Sequence, residues 1–159
     1  MAKEIERKFL VTGEGWRDRA EGSRGLRQGY LALTDKLAVR VRILDDAEAL
    51  LTFKSAAPGT TRAEYEYPIP LADARELLTL ATGLVIEKRR HRVPLDGLTW
   101  EVDVFEGAHA GLVIAEIELP AEDTPFTRPD WLGREVTADR RYYNASLAIA
   151  RPEEGAGQG

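Results

Sequence analysis

The chain has no cysteine and only two histidines among its 159 residues. The absence of cysteine excludes disulfide bonds, thiolate metal sites and a cysteine nucleophile. Nowhere do about 18 apolar residues follow one another, and the first residues lack the apolar stretch of a signal peptide. We therefore expect a cytoplasmic protein that does not act at a membrane.

Positive charge is not in excess either, since the formal net charge is −5. Nucleic-acid-binding proteins usually present a basic surface to the phosphate backbone, so the composition argues against nucleic acid as a partner. The length corresponds to one domain, and 43% hydrophobic residues can form an ordinary core. We expect a single domain over residues 1–150, a disordered glycine-rich tail over 151–159, and either a monomer or a homodimer.

Most of the chain alternates apolar and polar residues with a period of two, which is typical of β-strands. Short turn sequences separate the segments and favour antiparallel pairing, so the predicted class is α+β. Helical periodicity is confined to Glu14–Ala20, Ala72–Ala81 and Asp139–Ala150. The predicted strands are Glu4–Val11, Arg27–Thr34, Ala38–Leu44, Ala49–Ser55, Arg62–Ile69, Val85–Pro94, Thr99–Glu106 and Val113–Leu119.

The polar positions of these strands are almost entirely ionic. For any single strand, exposure of one face to solvent is a sufficient explanation of its ionic residues, because exposed strand faces usually carry charge. Repeated like charges on neighbouring strands, however, cost about 0.2–1 kcal/mol per pair, so folding alone gives no reason for them. On the sixth strand both parities carry charge, and periodicity does not choose between Lys88, Arg90 and Arg92 on one face and Glu87, Arg89 and His91 on the other.

The two groups of charge indicate two chemical species. Carboxylates without nearby histidine or cysteine suit a hard cation such as Mg²⁺ or Mn²⁺. Lysine and arginine suit an oxyanion, because a guanidinium binds phosphate through two parallel hydrogen bonds. Together they predict a site for a metal–polyphosphate complex. The pattern leaves open whether this face lines a closed barrel or a concave open sheet, although eight strands are enough to close.

The segment EIERK at residues 4–8 resembles the Glu-x-Glu-x-Lys signature of the CYTH, or triphosphate tunnel metalloenzyme, superfamily. The family's order continues with QGYL, VRVR, LTFK, EYEYPI, WEVDVF, AEIEL and WLGREVT, so that the resemblance covers nearly the whole chain. It implies an eight-stranded antiparallel closed β-barrel with a charged interior, covered by a few helices that include a C-terminal one. On the sixth strand it favours Lys88 and Arg90.

The compact bacterial members of this superfamily that look most like this chain are mainly inorganic triphosphatases. The resemblance therefore implies Mg²⁺- or Mn²⁺-dependent hydrolysis of tripolyphosphate to pyrophosphate and phosphate, with nucleoside triphosphates as further candidates. The implied substrate-binding residues are Lys8, Arg40, Arg42, Lys54, Lys88 and Arg90. The implied metal ligands are Glu4, Glu6, Glu101, Asp103, Glu116 and Glu118. The implied catalytic residues are Lys8, Tyr30, Glu64, Glu66 and Asp103.

Three alternatives remain at this stage: an adenylate cyclase, a thiamine triphosphatase, and a non-catalytic module that binds polyphosphate or nucleotide. Tyr30 belongs either to the site or to the core. The three tryptophans, Trp16, Trp100 and Trp131, are expected to pack, and the two histidines, His91 and His109, are expected to be solvent-exposed.

Overall fold

The computed structural model describes residues 5–55 and 63–148. The predicted metal ligand Glu4, the start of the fifth predicted strand and the predicted tail over 151–159 lie outside these ranges. Within them, nine strands form one sheet in which all neighbouring strands are antiparallel. No helix in the described ranges has the length and apolarity needed to cross a bilayer.

All eight predicted strands are present, and a ninth follows that the sequence pattern did not predict. The order across the sheet is β5-β4-β3-β2-β6-β7-β8-β1-β9. The strands are β1 Ile5–Val11, β2 Ser23–Leu33, β3 Leu37–Leu44, β4 Glu48–Ser55, β5 Glu64–Pro68, β6 Thr82–Leu95, β7 Leu98–Glu106, β8 Val113–Leu119 and β9 Leu132–Glu135.

The prediction of a closed eight-stranded barrel is wrong, because the sheet is open and ends at β5 and β9. Closure would require β1 to pair with β5, but β9 and the residues after it occupy that edge of β1. Val136 donates its backbone N–H to the carbonyl of Lys8 at 2.8 Å, and the N–H of Lys8 donates to Thr137 Oγ1 at 3.0 Å. Because these edge groups of β1 already have hydrogen-bond partners, they are not available to pair with β5.

The predicted helices are shorter than expected. Glu14–Ala20 is a 3₁₀ helix at Gly15–Arg19, and the second is α1 at Leu71–Leu78. The long helix predicted at Asp139–Ala150 is wrong for its described part, which consists of a 3₁₀ turn at Arg140–Tyr142 and one α-turn, α2, at Asn144–Leu147. The two turns are separated by Tyr143, whose extended backbone (φ −72°, ψ 145°) interrupts the helical path.

Helix α1 lies close against the sheet because β2 has a glycine beneath it. Ala74 and Leu78 of α1 are buried with Val41 and Ile43 in one apolar cluster. A Cβ added at Gly29 would lie 2.9 Å from the Cβ of Ala81, just beyond the helix. A glycine is therefore needed at this position for the close approach.

The register places every described ionic position that the sequence predicted on one face of the sheet, which we call the charged face. Residues directly opposite each other in an antiparallel pair share a face. The facing pairs include Lys8 with Glu116, Glu6 with Glu118, Arg90 with Asp103, Arg92 with Glu101, Lys54 with Glu64, and Tyr30 with Arg40. The even positions of β6 thus lie on this face, as the resemblance implied.

Part of the opposite face, on β7, β8 and β1, is apolar and covered. Trp100 on β7 packs with Trp16 from the 3₁₀ helix and with Trp131, which precedes β9. All three side chains are buried, which confirms that the tryptophans are packing residues.

A third apolar cluster lies on the charged face itself, at one end. Ile86, Phe105 and Ile114 project from the sheet there, and Tyr142 and Leu147 from the C-terminal segment pack onto them. The C-terminal segment therefore covers part of the charged face and helps to bound the space above it.

Candidate active site

A cavity of about 470 Å³ opens on the charged face. It is lined by side chains from strands that stand far apart in the sheet order. The lining includes Glu6 and Lys8 from β1, Tyr30 and Arg40 from β2 and β3, Thr52 and Lys54 from β4, Glu64 from β5, and Thr137, Tyr143 and Asn144 from the C-terminal part. The sheet therefore curls into a trough although it does not close, and the volume suits a small ligand.

Two arginines on β3 form no ion pair with any carboxylate in the part of the chain that the structure describes. In the described ranges, neither Arg40 nor Arg42 forms an ion pair, and the buried Nε of Arg40 has no hydrogen-bond partner. Arg42 donates from Nε to Gln28 Oε1 at 2.8 Å. Burial, together with the nearby charges of Arg40 and Arg90, lowers the pKa of Arg42 to about 10, so the group stays charged at neutral pH. Uncompensated guanidinium groups of this kind attract an anion.

The bases on β6 are arranged differently, because Asp103 on β7 compensates both of them. Lys88 Nζ lies 2.8 Å from Asp103 Oδ2, and both side chains are 1% exposed. Arg90 donates from Nε and Nη2 to the two carboxylate oxygens of Asp103 at 2.8 and 2.9 Å. This pairing supplies the counter-charge that a buried cation requires.

Burial and pairing act in opposite directions on these three groups. Burial raises the pKa of Asp103, but the charges and hydrogen bonds of Lys88 and Arg90 outweigh it and hold that pKa below its usual value. Burial lowers the pKa of Lys88, and Asp103 does not fully offset the effect. Burial also opposes the charge on Arg90, but its hydrogen bonds to Asp103 raise its pKa overall. Asp103 is thus an anion held by two cations.

Carboxylates gather on β1 and β8 at the other side of the cavity. Burial, the charge of Glu116 and a hydrogen bond with the Glu116 carboxyl raise the pKa of Glu6 from 4.5 to about 7. The Glu6 residue is nevertheless exposed at the cavity, so its carboxyl is only partly withdrawn from solvent. Lys8 offsets part of this negative charge, with Nζ 3.6 Å from Glu116 Oε1 and 3.1 Å from the carbonyl of Tyr142. The like charges of Glu6 and Glu116 favour either a proton or a bound cation between them.

The chemistry of this carboxylate group fits a hard divalent cation, which prefers oxygen ligands. Within residues 5–55 and 63–148, no three histidine, aspartate or glutamate side chains are already arranged around a common metal position. Glu4, which the resemblance implies as a ligand, lies outside the described residues. Glu6, Glu116 and Glu118 are the described side chains that could hold a metal here.

The remaining predicted residues fall at the edges of these groups. Glu66 accepts a hydrogen bond from Thr52 Oγ1 at 3.1 Å, and Glu101 lies 3.4 Å from Arg90 Nη1. Arg92 faces Glu101 and is exposed. The charged face thus carries three clusters: the unpaired arginines on β3, the Asp103 group on β6 and β7, and the carboxylates on β1 and β8.

Sequence reasoning missed two buried polar residues of the charged face, Gln28 and Thr52. Both lie directly opposite ionic residues of a neighbouring strand, Gln28 opposite Arg42 and Thr52 opposite Arg40, which is the signal that could have found them. The expectation that His109 is exposed is wrong, since it is fully buried against Phe105. His91 lies on the opposite face beside Trp16 and is partly exposed.

Residues 2–150 match the CYTH domain family model. An inorganic triphosphatase of Acetivibrio thermocellus is 49% identical over 148 residues, which span 92% of this chain and 94% of the relative. An inorganic triphosphatase of Nitrosomonas europaea is 40% identical over 153 residues, covering 94% and 99%. The fold is similar to a crystal structure of an inorganic triphosphatase, with a TM-score of 0.76, 38% identity, and coverage of 96% of this chain and 99% of that one.

Proposed function

Because this chain belongs to the CYTH domain family, and because its charged face carries unpaired bases opposite clustered carboxylates, we propose that it is an inorganic triphosphatase. It binds tripolyphosphate in the cavity on the charged face and hydrolyses it to pyrophosphate and phosphate. The observation that carries this function is a single cavity lined both by bases, Lys8, Arg40 and Lys54, and by the carboxylates Glu6 and Glu64. The resemblance to two inorganic triphosphatases over more than nine-tenths of the chain supports the same reaction.

The bases would hold the phosphate chain. Arg40 and Arg42 are the strongest candidates for direct contact, because no described carboxylate competes for their guanidinium groups. Lys54 is exposed at the cavity and can follow a flexible anion, since its ammonium group sits on a four-carbon stem. Lys88 and Arg90 act from the buried side, where Asp103 fixes their positions.

A divalent cation, Mg²⁺ or Mn²⁺, would be held by Glu6, Glu116 and Glu118 together with Glu4. When bound, such an ion neutralises phosphate oxygens and lowers the pKa of a coordinated water. The raised pKa of Glu6 is consistent with this assignment, because burial and then the charge of Glu116 disfavour its carboxylate, and a cation would offset the second of these effects.

The chain's own side chains account for the remaining requirements of hydrolysis. The reaction forms one P–O bond from water and breaks one bridging P–O bond, and the proton lost by the water passes to the leaving pyrophosphate or to solvent. Glu64 and Glu66 on β5 would accept hydrogen bonds from the attacking water, a role supported for Glu64 by its position in the cavity lining. Lys8 and Tyr30 also line the cavity and would donate hydrogen bonds to phosphate oxygens as charge develops on them. Asp103 acts here by fixing Lys88 and Arg90.

The test is a phosphate-release panel over tripolyphosphate, ATP, thiamine triphosphate and pyrophosphate, with Mg²⁺ or Mn²⁺ present and cyclic AMP assayed in parallel. We expect the highest kcat/KM for tripolyphosphate, with pyrophosphate accumulating in equal amount to phosphate. Cyclic AMP from ATP would identify a cyclase, a preference for thiamine triphosphate would identify that triphosphatase, and binding without release would identify a non-catalytic module.

Two variants show whether the activity belongs to this cavity. Arg40→Met removes an unpaired cation from its lining and should raise KM for tripolyphosphate at least tenfold, on the order of one lost charge-assisted hydrogen bond. Lys36→Met removes an exposed cation from the β2–β3 turn and should leave both constants unchanged. Equal effects of the two substitutions would refute the assignment of the site.

A further inference from the structure

Gln28 is a fully buried amide at the centre of the charged face. It lies on β2, opposite Arg42 on β3 and Ile86 on β6. Its Oε1 accepts the hydrogen bond from Arg42 Nε, while its Nε2 has no hydrogen-bond partner among the described residues. Burying an amide without complete hydrogen bonding costs free energy, so stability alone does not explain a glutamine here.

The contact matters because of what Arg42 lacks. Arg42 has no ion pair within the described ranges, so the amide oxygen of Gln28 is the acceptor that holds its Nε. A guanidinium is planar and carries its donors in a fixed fork. Fixing Nε therefore fixes the direction in which the two Nη groups point.

The chemistry of the acceptor separates Arg42 from Arg90. Arg90 is held by both carboxylate oxygens of Asp103, which compensate its charge. Arg42 is held by a neutral oxygen, which orients the group without cancelling its charge. A glutamate at position 28 would give the same orientation but would cancel the charge.

We propose that Gln28 is a positioning residue for Arg42, whose guanidinium it orients toward the phosphate chain without neutralising it. The nature of the anion rests on the proposed function, whereas the orientation rests on the hydrogen bond alone. Orienting a donor before the ligand arrives lowers the entropy lost on binding, so the effect belongs to substrate affinity more than to the chemical step.

The primary experiment is a double-mutant cycle with Gln28→Met and Arg42→Met. Methionine matches the unbranched length of glutamine and removes the acceptor. We expect Gln28→Met to raise both KM and the calorimetric Kd for tripolyphosphate about tenfold, with kcat much less affected. In the Arg42→Met background the same substitution should change Kd less than about twofold. An equal loss in both backgrounds would show that Gln28 merely supports the fold and would overturn the proposal.

A second variant, Gln28→Glu, keeps the hydrogen bond to Arg42. It therefore tests the proposal even if Gln28→Met fails to fold. Its Kd should also weaken, and the dependence of log Kd on log salt should become as shallow as in Arg42→Met, because one cation is cancelled. Gln28→Met should keep the wild-type salt slope, since the charge of Arg42 remains. Wild-type binding by Gln28→Glu, or a reduced slope in Gln28→Met, would contradict the proposal.

The cycle separates this inference from the assigned reaction. If the wild-type protein binds tripolyphosphate without hydrolysing it, the reaction is wrong and the Kd values still test Gln28. If the wild type hydrolyses tripolyphosphate and Gln28→Met binds it equally well, the positioning role alone is wrong. If the wild type binds no tripolyphosphate, both proposals are wrong.

Discussion

The carboxylate of Asp103 lies 2.8 Å from the ammonium group of Lys88, and 1% of each side chain is exposed. Asp103 also receives two hydrogen bonds from Arg90, so one buried anion holds two cations of the charged face. Such an arrangement keeps both bases in fixed positions on the charged face, and the burial of Lys88 depends on the charge of this carboxylate.

Asp103→Asn should therefore be among the most destabilising single substitutions in the chain. Removing one member of a buried ion pair leaves an uncompensated charge and costs about 3–5 kcal/mol. Here Lys88 loses its Asp103 partner, and of its ion pairs in the described ranges Arg90 keeps only the one with Glu101 at 3.4 Å. Urea denaturation at neutral pH measures the loss. Glu87→Gln is the matched control, because Glu87 precedes Lys88 and forms a 3.6 Å pair with Arg27 between side chains that are more than 40% exposed. That change should cost less than about 1 kcal/mol, and similar losses in the two variants would contradict the role of Asp103.

Glu6 should make the unfolding free energy depend on pH. Its pKa of about 7 exceeds its ordinary value of 4.5, so the folded protein binds a proton more tightly than the unfolded chain does. The resulting stabilisation is complete below the unfolded pKa and is lost as the pH rises through 7. Glu6→Gln removes this dependence. In EDTA, the unfolding free energy of Glu6→Gln relative to that of the wild type should therefore rise by on the order of 1 kcal/mol between about pH 5 and about pH 8. This figure allows for solvent screening of the carboxyl.

The control for this measurement is Glu122→Gln, an exposed carboxylate in the loop between β8 and β9. It should follow the wild-type curve at both pH values. A constant difference between wild type and Glu6→Gln across the range would show that the Glu6 carboxyl is already ionised at the lower pH.

Glu116→Gln should weaken metal binding in a way that is visible without any substrate. A cation that binds only the folded protein raises the unfolding free energy by about 2.7 kcal/mol at one hundred times its Kd. We expect Mg²⁺ or Mn²⁺ to raise the Tm of the wild type, and a much higher metal concentration to be needed for Glu116→Gln. Glu76→Gln, an exposed position on α1, should respond as the wild type does. Unchanged metal dependence in Glu116→Gln would remove Glu116 from the ligand set.

Gly29→Ala should loosen the contact between α1 and the sheet. The added methyl would lie 2.9 Å from Ala81 Cβ and 3.2 Å from Leu78 Cδ2, so the helix must move. Overpacking of this kind costs about 1–3 kcal/mol. At Gly15 an added Cβ would meet Trp131 Cδ1 at an ordinary 3.6 Å, so Gly15→Ala should stay within about 0.5 kcal/mol of the wild type. Equal Tm values for both variants would show that α1 tolerates displacement.

The charged face could be predicted from sequence because alternation along a strand is a local property. Each strand assigns its own residues to two faces, and antiparallel pairing then brings equal faces together. Lys8, Arg40 and Glu116 were placed in this way without knowledge of the fold.

The openness of the sheet could not be predicted in this way, because it depends on which segment occupies the edge of β1. That segment is the four-residue β9, too short for its alternation to stand out. Arg7 fastens it by donating from Nε and Nη2 to the carboxylate of Glu135 at 2.9 and 2.6 Å, a contact between residues 128 positions apart. The alternation of apolar and polar residues within one strand carries no information about pairing between positions so far apart in the sequence.

The partners of Asp103 were equally out of reach of the sequence. Register sets Asp103 opposite Arg90, but its second partner, Lys88, stands diagonally across the ladder and reaches it through a long side chain. The sequence therefore groups Asp103 with the predicted metal ligands, whereas the distances show that it pairs with Lys88 and Arg90. Gln28 was overlooked for the opposite reason, since a neutral residue contributes nothing to a pattern recognised by its charges.

The two walls of the cavity stand at opposite ends of a long chain of strands. Six ladders separate β4, which carries Lys54, from β1, which carries Glu6, and no hydrogen bond between described backbone atoms of these two strands ties them directly. Their separation is the accumulated twist and coil of the intervening strands. Small changes in the curvature of any intervening strand, even beneath α1 or the buried tryptophans, would therefore add up to a change in the distance between the two walls of the cavity. Substitutions remote from any phosphate could thus tune affinity as effectively as those that touch it.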